Sequence, residues 1–249
     1  MNYGICNLNI VPLRFENSDR SEMVSQVLYG DLFELLEITK KWSRIRLTYD
    51  NYEGWIDNKQ FISLTENEYD QLNQLSTKLS INLLDIITTS TNELIPISIG
   101  SNVGVIDYFN HSFDGAINDF SFSKSKIIES AYLYLNSPYL WGGKTPFGID
   151  CSGFTQMVYK LNGIQLFRDA SQQVNQGEAL SFIEESVPGD LAFFDDDIGN
   201  ITHVGIIMKN NQIIHAHGKV RIDHLDHSGI FNNESQKHTH KLRVIKRIV

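Results

Sequence analysis

The chain has 249 residues, 41% hydrophobic and 20% charged, which excludes wholesale disorder. Its 21 basic and 30 acidic side chains leave a net charge of −9, arguing against a nucleic-acid surface. No run of about 18 apolar residues occurs, so no membrane-spanning helix is expected.

Residues 1–63 are strand-like and rich in turn signals. Val27-Leu28-Tyr29 runs into Gly30-Asp31, then Leu32–Ile38. Trp42–Leu47 alternates with period two, and Tyr52-Glu53-Gly54-Trp55-Ile56 turns into another strand. Short strands so closely spaced predict a small barrel. Residues 64–121 read as a diverged second copy. A polar stretch from Thr65 to Leu79 predicts a short helix, and Asn82–Thr89 and Leu94–Ile99 read as strands. Ile99–Ile106 echoes the first Gly-containing turn, and Phe113-Asp114-Gly115-Ala116-Ile117 echoes Tyr52–Ile56. The repeat predicts a second small barrel, against chance similarity between two β-rich segments.

Residues 122–249 change character. Ser123–Lys126 offers caps for a helix whose apolar face is Ile127, Ile128, Ala131, Leu133 and Leu135, ended by Pro138. A Gly-rich loop, Trp141–Gly148, precedes a second helix carrying Phe154, Met157, Val158 and Leu161 after Asp150. Strands follow at Leu191–Phe194, Val204–Met208, Gln212–Ala216 and near Arg243–Ile248. Helices first and an antiparallel sheet afterwards is an α+β pattern.

Two distant cysteines, Cys6 and Cys151, make neither a disulfide framework nor a thiolate zinc site. Cys151 stands at a helix start, where positive dipole favours a thiolate, so a lowered thiol pKa is expected. A thiol nucleophile needs a base and a group to orient that base. His203 begins an apolar strand, and the turn Lys209-Asn210-Asn211 returns the chain as a second strand carrying His215 and His217 on one face. Simple register puts His217 opposite His203 and His215 on the diagonal, so periodicity does not choose between them. All of the eight histidines except His111 lie from residue 203 onward, and His215/His217 and His238/His240 have the spacing of same-face ligands. No cysteine pair and no H-E-x-x-H accompanies them, so no catalytic metal is expected. Gly143-Lys144-Thr145 is no P-loop, since Pro138 stands where the first glycine is required, and no G-x-S-x-G elbow occurs.

At these residues the chain resembles the NlpC/P60 cysteine peptidases, which implies a papain-like α+β catalytic domain over 122–249. The carriers are Tyr139–Gly143, Asp150-Cys151-Ser152-Gly153-Phe154, Pro188-Gly189-Asp190-Leu191, His203-Val204-Gly205-Ile206 and Ile214-His215-Ala216. Residues 1–63 resemble a bacterial SH3 domain, chiefly through Trp42 and Gly54-Trp55-Ile56. Arg20–Gln26 and Arg168-Asp169-Ala170-Ser171 resemble the γ-D-glutamyl-L-diamino acid endopeptidases of dipeptidyl-peptidase VI type.

The resemblance implies a metal-free thiol acyl transfer, with Cys151 as nucleophile, His203 as base and His215 as the third polar residue. It makes Asp169 the acid that binds the free amine of an N-terminal L-Ala. An acid and a tyrosine from the SH3 domain would share that amine, with Glu16 and Tyr52 as candidates against a solvated carboxylate and a barrel-core tyrosine. Trp141 and Tyr139 would floor the cleft, and Ser152 would contact the D-Glu carboxylate. The expected partner is a murein-derived peptide, L-Ala-γ-D-Glu-diamino acid, cut by a cofactor-free monomer with no nucleic-acid or membrane partner. The start Met1–Asn7 lacks the basic region and apolar core of a leader, which predicts a cytoplasmic protein or an exported one already trimmed. The rival readings are a thiol amidase or acyltransferase on the same fold, for which an amine-binding Asp169 has no purpose, and a non-enzymatic wall-binding SH3 module.

Overall fold

The computed structural model describes residues 2–118, 120 and 123–249. The expected domain boundary at 121/122 lies outside them. The chain divides into two compact units, Met1–Asp119 with Trp141–Pro146, and Phe120–Leu140 with Phe147–Val249.

In the first unit seven strands form one antiparallel sheet curled into a barrel. They are β1 (Asn2–Ile5), β2 (Ile10–Arg14), β3 (Met23–Leu28), β4 (Leu32–Ile38), β5 (Trp42–Leu47), β6 (Glu53–Asp57) and β7 (Ile62–Leu64). Their order is β3-β2-β6-β5-β4-β1-β7. Alternation decides which side chains enter: Ser43, Ile45 and Leu47 of β5 point inward, while Arg44 and Arg46 point outward to Glu53 at 2.6 and 2.7 Å. The core is Cys6, Val11, Leu13, Val27, Phe33, Ile45, Leu47 and Ile56, with Tyr52 packed against it. Burial pushes the Cys6 thiol up to about 12, so Cys6 is a core side chain.

Residues 65–118 hold one α-helix, one two-stranded ladder and a 3₁₀ helix. Thr65 and Glu68 form a capping box that starts α1 (Glu66–Asn73). The only ladder among the described residues here joins β8 (Leu84–Thr88) to β9 (Leu94–Ser98). The turn echo becomes a 3₁₀ helix, Val103–Phe109. Phe113–Ile117 forms no strand, touching its neighbours through isolated bridges at Ser112 and Ile117. The reason is packing. Ile87, Ile97, Val103 and Val105 are buried with Tyr3, Ile5, Tyr29 and Leu32 of the first barrel, in one shared cluster. Tyr3 stacks on Tyr69 at 4.0 Å. The segment completes an existing core instead of closing its own.

The second unit starts with α2 (Lys124–Leu133), capped by Ser123, and α3 (Cys151–Leu161), capped by Asp150. β10 (Lys144–Thr145) and β11 (Gly148–Ile149) lie between them in the chain, and α4 (Ala170–Gln173) follows. The sheet comprises β12 (Glu178–Leu180), β13 (Leu191–Asp195), β14 (Ile201–Met208), β15 (Gln212–His217), β16 (Lys219–Asp226), β17 (Gly229–Asn232) and β18 (Lys237–Arg247). Its order is β12-β18-β13-β14-β15-β16-β17, and β18 also pairs with β17. Every residue of α3 is buried, so its polar members need partners. Thr155 donates to Gln173 Oε1 at 2.7 Å, and Gln156 to the Leu166 carbonyl at 3.0 Å. β12, β16 and β17 were not expected from the sequence. No helix among the described residues is long and apolar enough to cross a membrane.

Candidate active site

Cys151 is the first residue of α3. Asp150 is extended and accepts the Gly153 N–H through Oδ1 at 2.7 Å, which fixes the helix start. Arg168, 1% exposed, grips the same carboxylate in a fork, at 3.0 Å to Oδ1 and 2.6 Å to Oδ2. It also donates to Ser152 Oγ at 3.0 Å. The backbone at Cys151 is thus locked by a buried ion pair between two quoted motifs, a pairing that the sequence did not show. Asp169, the next residue, is partly exposed at the N-cap of α4.

The Cys151 sulfur faces β14. It receives the backbone N–H of Val204, the residue after His203. Burial pushes its thiol up to about 12, Asp150 adds to this, and the Val204 N–H and Arg168 only partly oppose it. The expected lowered pKa is therefore corrected: desolvation outweighs the helix terminus. At rest the thiol carries its proton, and a base must remove it.

His203, the candidate base, is 5% exposed. Its pKa lies well below the ordinary histidine value, because of burial and then the neighbouring His215, His240 and His217. Its Nε2 lies 2.8 Å from His215 Nδ1. His215 Nε2 lies 3.1 Å from Asp223 Oδ2. Asp223 is held in turn by Asn232 Nδ2 at 3.1 Å and Arg221 at 2.8 Å. Burial would raise the Asp223 pKa, but the bonds from His215, Arg221 and Asn232 prevail and keep it below the usual carboxylate value. An ionised Asp223 accepts from His215 Nε2–H. The His215 Nδ1 lone pair then accepts from His203 Nε2–H, and His203 is left with an unprotonated Nδ1. This chain of three groups assigns the tautomer of the base.

The close approach of β14 and β15 at Gly205 explains the choice of His215. Met208 pairs with Gln212 and Gly205 with His215. A Cβ on Gly205 would come within 2.9 Å of His215 Cβ, so only glycine lets β14 approach there. His217 is exposed, its ring 6.4 Å from that of His203. Asp223 was missed because it lies on β16, which the sequence did not show; paired opposite Ile213, it stands diagonal to His215.

Tyr139 is near the nucleophile, and its phenol is raised to about 12 by burial and then by Cys151 and Asp150. Trp141 is 60% exposed, and its indole donates to Glu22 Oε1 at 2.5 Å. The loop Trp141–Pro146 belongs to the first unit, where the Lys144 N–H also donates to Gln26 Oε1 at 2.7 Å. Gly142, at φ +77°, would put a Cβ 2.2 Å from the Met23 carbonyl oxygen. Glu22, Met23 and Gln26 of the quoted segment Arg20–Gln26 therefore hold this loop. Glu16 is exposed, its backbone N–H bonded to Ser21 Oγ, and Tyr52 is a half-buried neighbour of the barrel core.

Fold and sequence comparison agree on the class. Residues 136–243 match the NlpC/P60 family, and residues 13–61 match the bacterial dipeptidyl-peptidase SH3 domain. The chain carries an NlpC/P60 peptidase domain behind an SH3 domain of that kind. It is 26% identical over 241 residues to dipeptidyl-peptidase 6 of Lysinibacillus sphaericus, covering 83% of this chain and 85% of that one. It is 25% identical over 231 residues to a gamma-D-glutamyl-L-lysine dipeptidyl-peptidase of Bacillus cereus, covering 80% and 68%. The crystal structure of an NlpC/P60 family protein from Bacillus cereus ATCC 10987 shares the fold, with a TM-score of 0.79 at 18% identity over 99% of both chains.

Replacing Asp223 by Asn tests the tautomer assignment. The amide can donate to His215 and reverse the chain of bonds. We expect kcat/KM to fall by about 10²-fold or more. Wild-type kcat/KM should fall on the acid side only well below the ordinary histidine pKa, because burial and the neighbouring imidazoles keep His203 neutral. An Asn variant with wild-type rate and profile would refute the assignment.

Proposed function

We propose that this protein is a cysteine endopeptidase with a papain-like α+β catalytic domain. It hydrolyses the bond between the γ-carboxyl of D-Glu and the diamino acid of freed murein peptides whose N-terminal L-Ala is unblocked. The observation that carries this reading is a buried thiol at a helix start, against the strand bearing His203, the first member of the His203–His215–Asp223 chain. The names of the two bacterial relatives support the substrate class.

In this reading Cys151 gives its proton to His203 Nδ1 as the sulfur attacks the γ-glutamyl carbonyl. The Cys151 backbone N–H, at the positive end of α3, faces the oxyanion. His203 returns the proton to the leaving amine, then takes one from the water that hydrolyses the thioester, releasing L-Ala-D-Glu. His215 holds His203. Asp169 takes the L-Ala ammonium with Glu16 and Tyr52, Ser152 meets the D-Glu carboxylate, and Tyr139 and Trp141 floor the cleft. A buried ammonium requires a countercharge, so an acylated N-terminus is rejected. The reading includes a monomer acting in the cytoplasm on peptides already released from the wall.

Mass spectrometry of the products from L-Ala-γ-D-Glu-L-Lys, its meso-diaminopimelate counterpart and their N-acetyl forms tests this. We expect L-Ala-D-Glu from the free-amine peptides, and about 10²-fold slower cleavage once acetylated. Equal cleavage of both forms removes the amine-binding roles and favours wall hydrolysis. No cleavage of either favours a thiol amidase or acyltransferase.

A further inference from the structure

The histidines around the candidate base exceed what acyl transfer uses. His240, on β18, stacks on His203 with ring centroids 4.1 Å apart, and its Nδ1 is bonded to Thr239. One ring nitrogen from each of His203, His215 and His240 lies within 4.8 Å of the others.

The hydrogen bonds set which nitrogens are free to bind a cation. Thr239 Oγ1 donates to the Ile230 carbonyl at 3.4 Å and lies 2.9 Å from His240 Nδ1, so it accepts from Nδ1–H. His240 Nε2 then carries a lone pair. His215 Nε2–H is turned to Asp223, which leaves a lone pair on Nδ1. Two of the three imidazoles are thus already in a ligating tautomer, each oriented by an oxygen on its far nitrogen. That is the usual outer support of a metal-binding histidine.

We propose that His203 Nε2, His215 Nδ1 and His240 Nε2 form a site for a zinc-like divalent transition metal, and that the ion inhibits the peptidase. Three neutral imidazoles with solvent as fourth ligand suit zinc and not magnesium. Bonds of about 2.0–2.1 Å at tetrahedral angles need nitrogens about 3.3 Å apart. His203 and His215 must therefore separate slightly from 2.8 Å, and the half-buried His240 must rotate inward.

Inhibition follows from proton placement. When the metal takes His203 Nε2, the proton held there moves to Nδ1. No proton is lost, but the atom that should accept the thiol proton is now occupied. Binding itself needs no catalytic assumption; the inhibitory half rests on the proposed role of His203.

The test uses the full chain as Cys151→Ala, so that the thiol beside His203 cannot be the ligand; Cys6 stays fully buried in the barrel core. Zn²⁺ is titrated against a chromophoric chelator, with Mg²⁺ as control. We expect one zinc per chain, bound at least about tenfold more weakly after His240→Phe is added. His240→Asn serves if the Phe variant does not fold. With Cys151 restored, each variant's activity in zinc is compared with its own activity in chelator, and zinc sensitivity should fall by the same factor. No zinc on Cys151→Ala, or equal affinity with and without His240, overturns the site. Binding as described without inhibition of an active enzyme overturns the inhibitory half. Inactivity in chelator overturns the catalytic reading alone.

Discussion

Cys151→Ala is expected to lower kcat by about 10⁴-fold or more while leaving the fold intact. The side chain is 7% exposed and contributes little volume, so loss of rate without loss of structure isolates the sulfur's chemical role. The same residue yields a second, sharper reading. A thiol pushed up to about 12 by burial is protonated across the neutral range. Its thiolate fraction then grows as pH rises toward that value. Alkylation of Cys151 by iodoacetamide should therefore quicken by roughly tenfold per unit between pH 6 and 9. A preformed thiolate–imidazolium pair would instead give a plateau across that range. Cys6 is as strongly raised and fully buried, so peptide mapping will separate the two. A plateau would show that the helix terminus and His203 overcome burial, contrary to the electrostatics derived above.

Arg168→Met is expected to destabilise the chain by about 3–5 kcal/mol, measured by urea unfolding. Arg168 is fully enclosed and makes two bonds to Asp150 and one to Ser152. Removing it strands a carboxylate that is 5% exposed beside the nucleophile. Adding Asp150→Asn to Arg168→Met removes that stranded charge and should recover part of the loss, because the penalty is an unpaired ion more than a missing attraction. If the single substitution costs less than about 1 kcal/mol, the pair does not lock the helix start.

Much of the site was legible because its signals are local. Ser123 and Asp150 cap α2 and α3 where residue type alone placed them. The turn Lys209-Asn210-Asn211 joins β14 and β15 with the register that its length dictates, since Met208 pairs with Gln212. The same register left His215 and His217 tied. The tie is broken by a close approach at Gly205, which depends on two strands together. Asp223 escaped, and the bonds of Arg168 and the place of His240 over His203 were not foreseen, because each meets the site from a segment distant in sequence. Core partners are hidden for a similar reason: alternation shows that Ile87 and Ile97 seek burial, not that Tyr3 and Tyr29 will provide it.

The sequence by itself determined the helices at the site, the β14–β15 hairpin, the nucleophile and base candidates, and the kind of domain that carries them, because caps, turns and periodicity act within a few residues. Only the tertiary structure decided the protonation of Cys151, the partner of His203 and the gathering of a third imidazole over it. Those depend on water excluded and charges assembled by strands that meet only after folding.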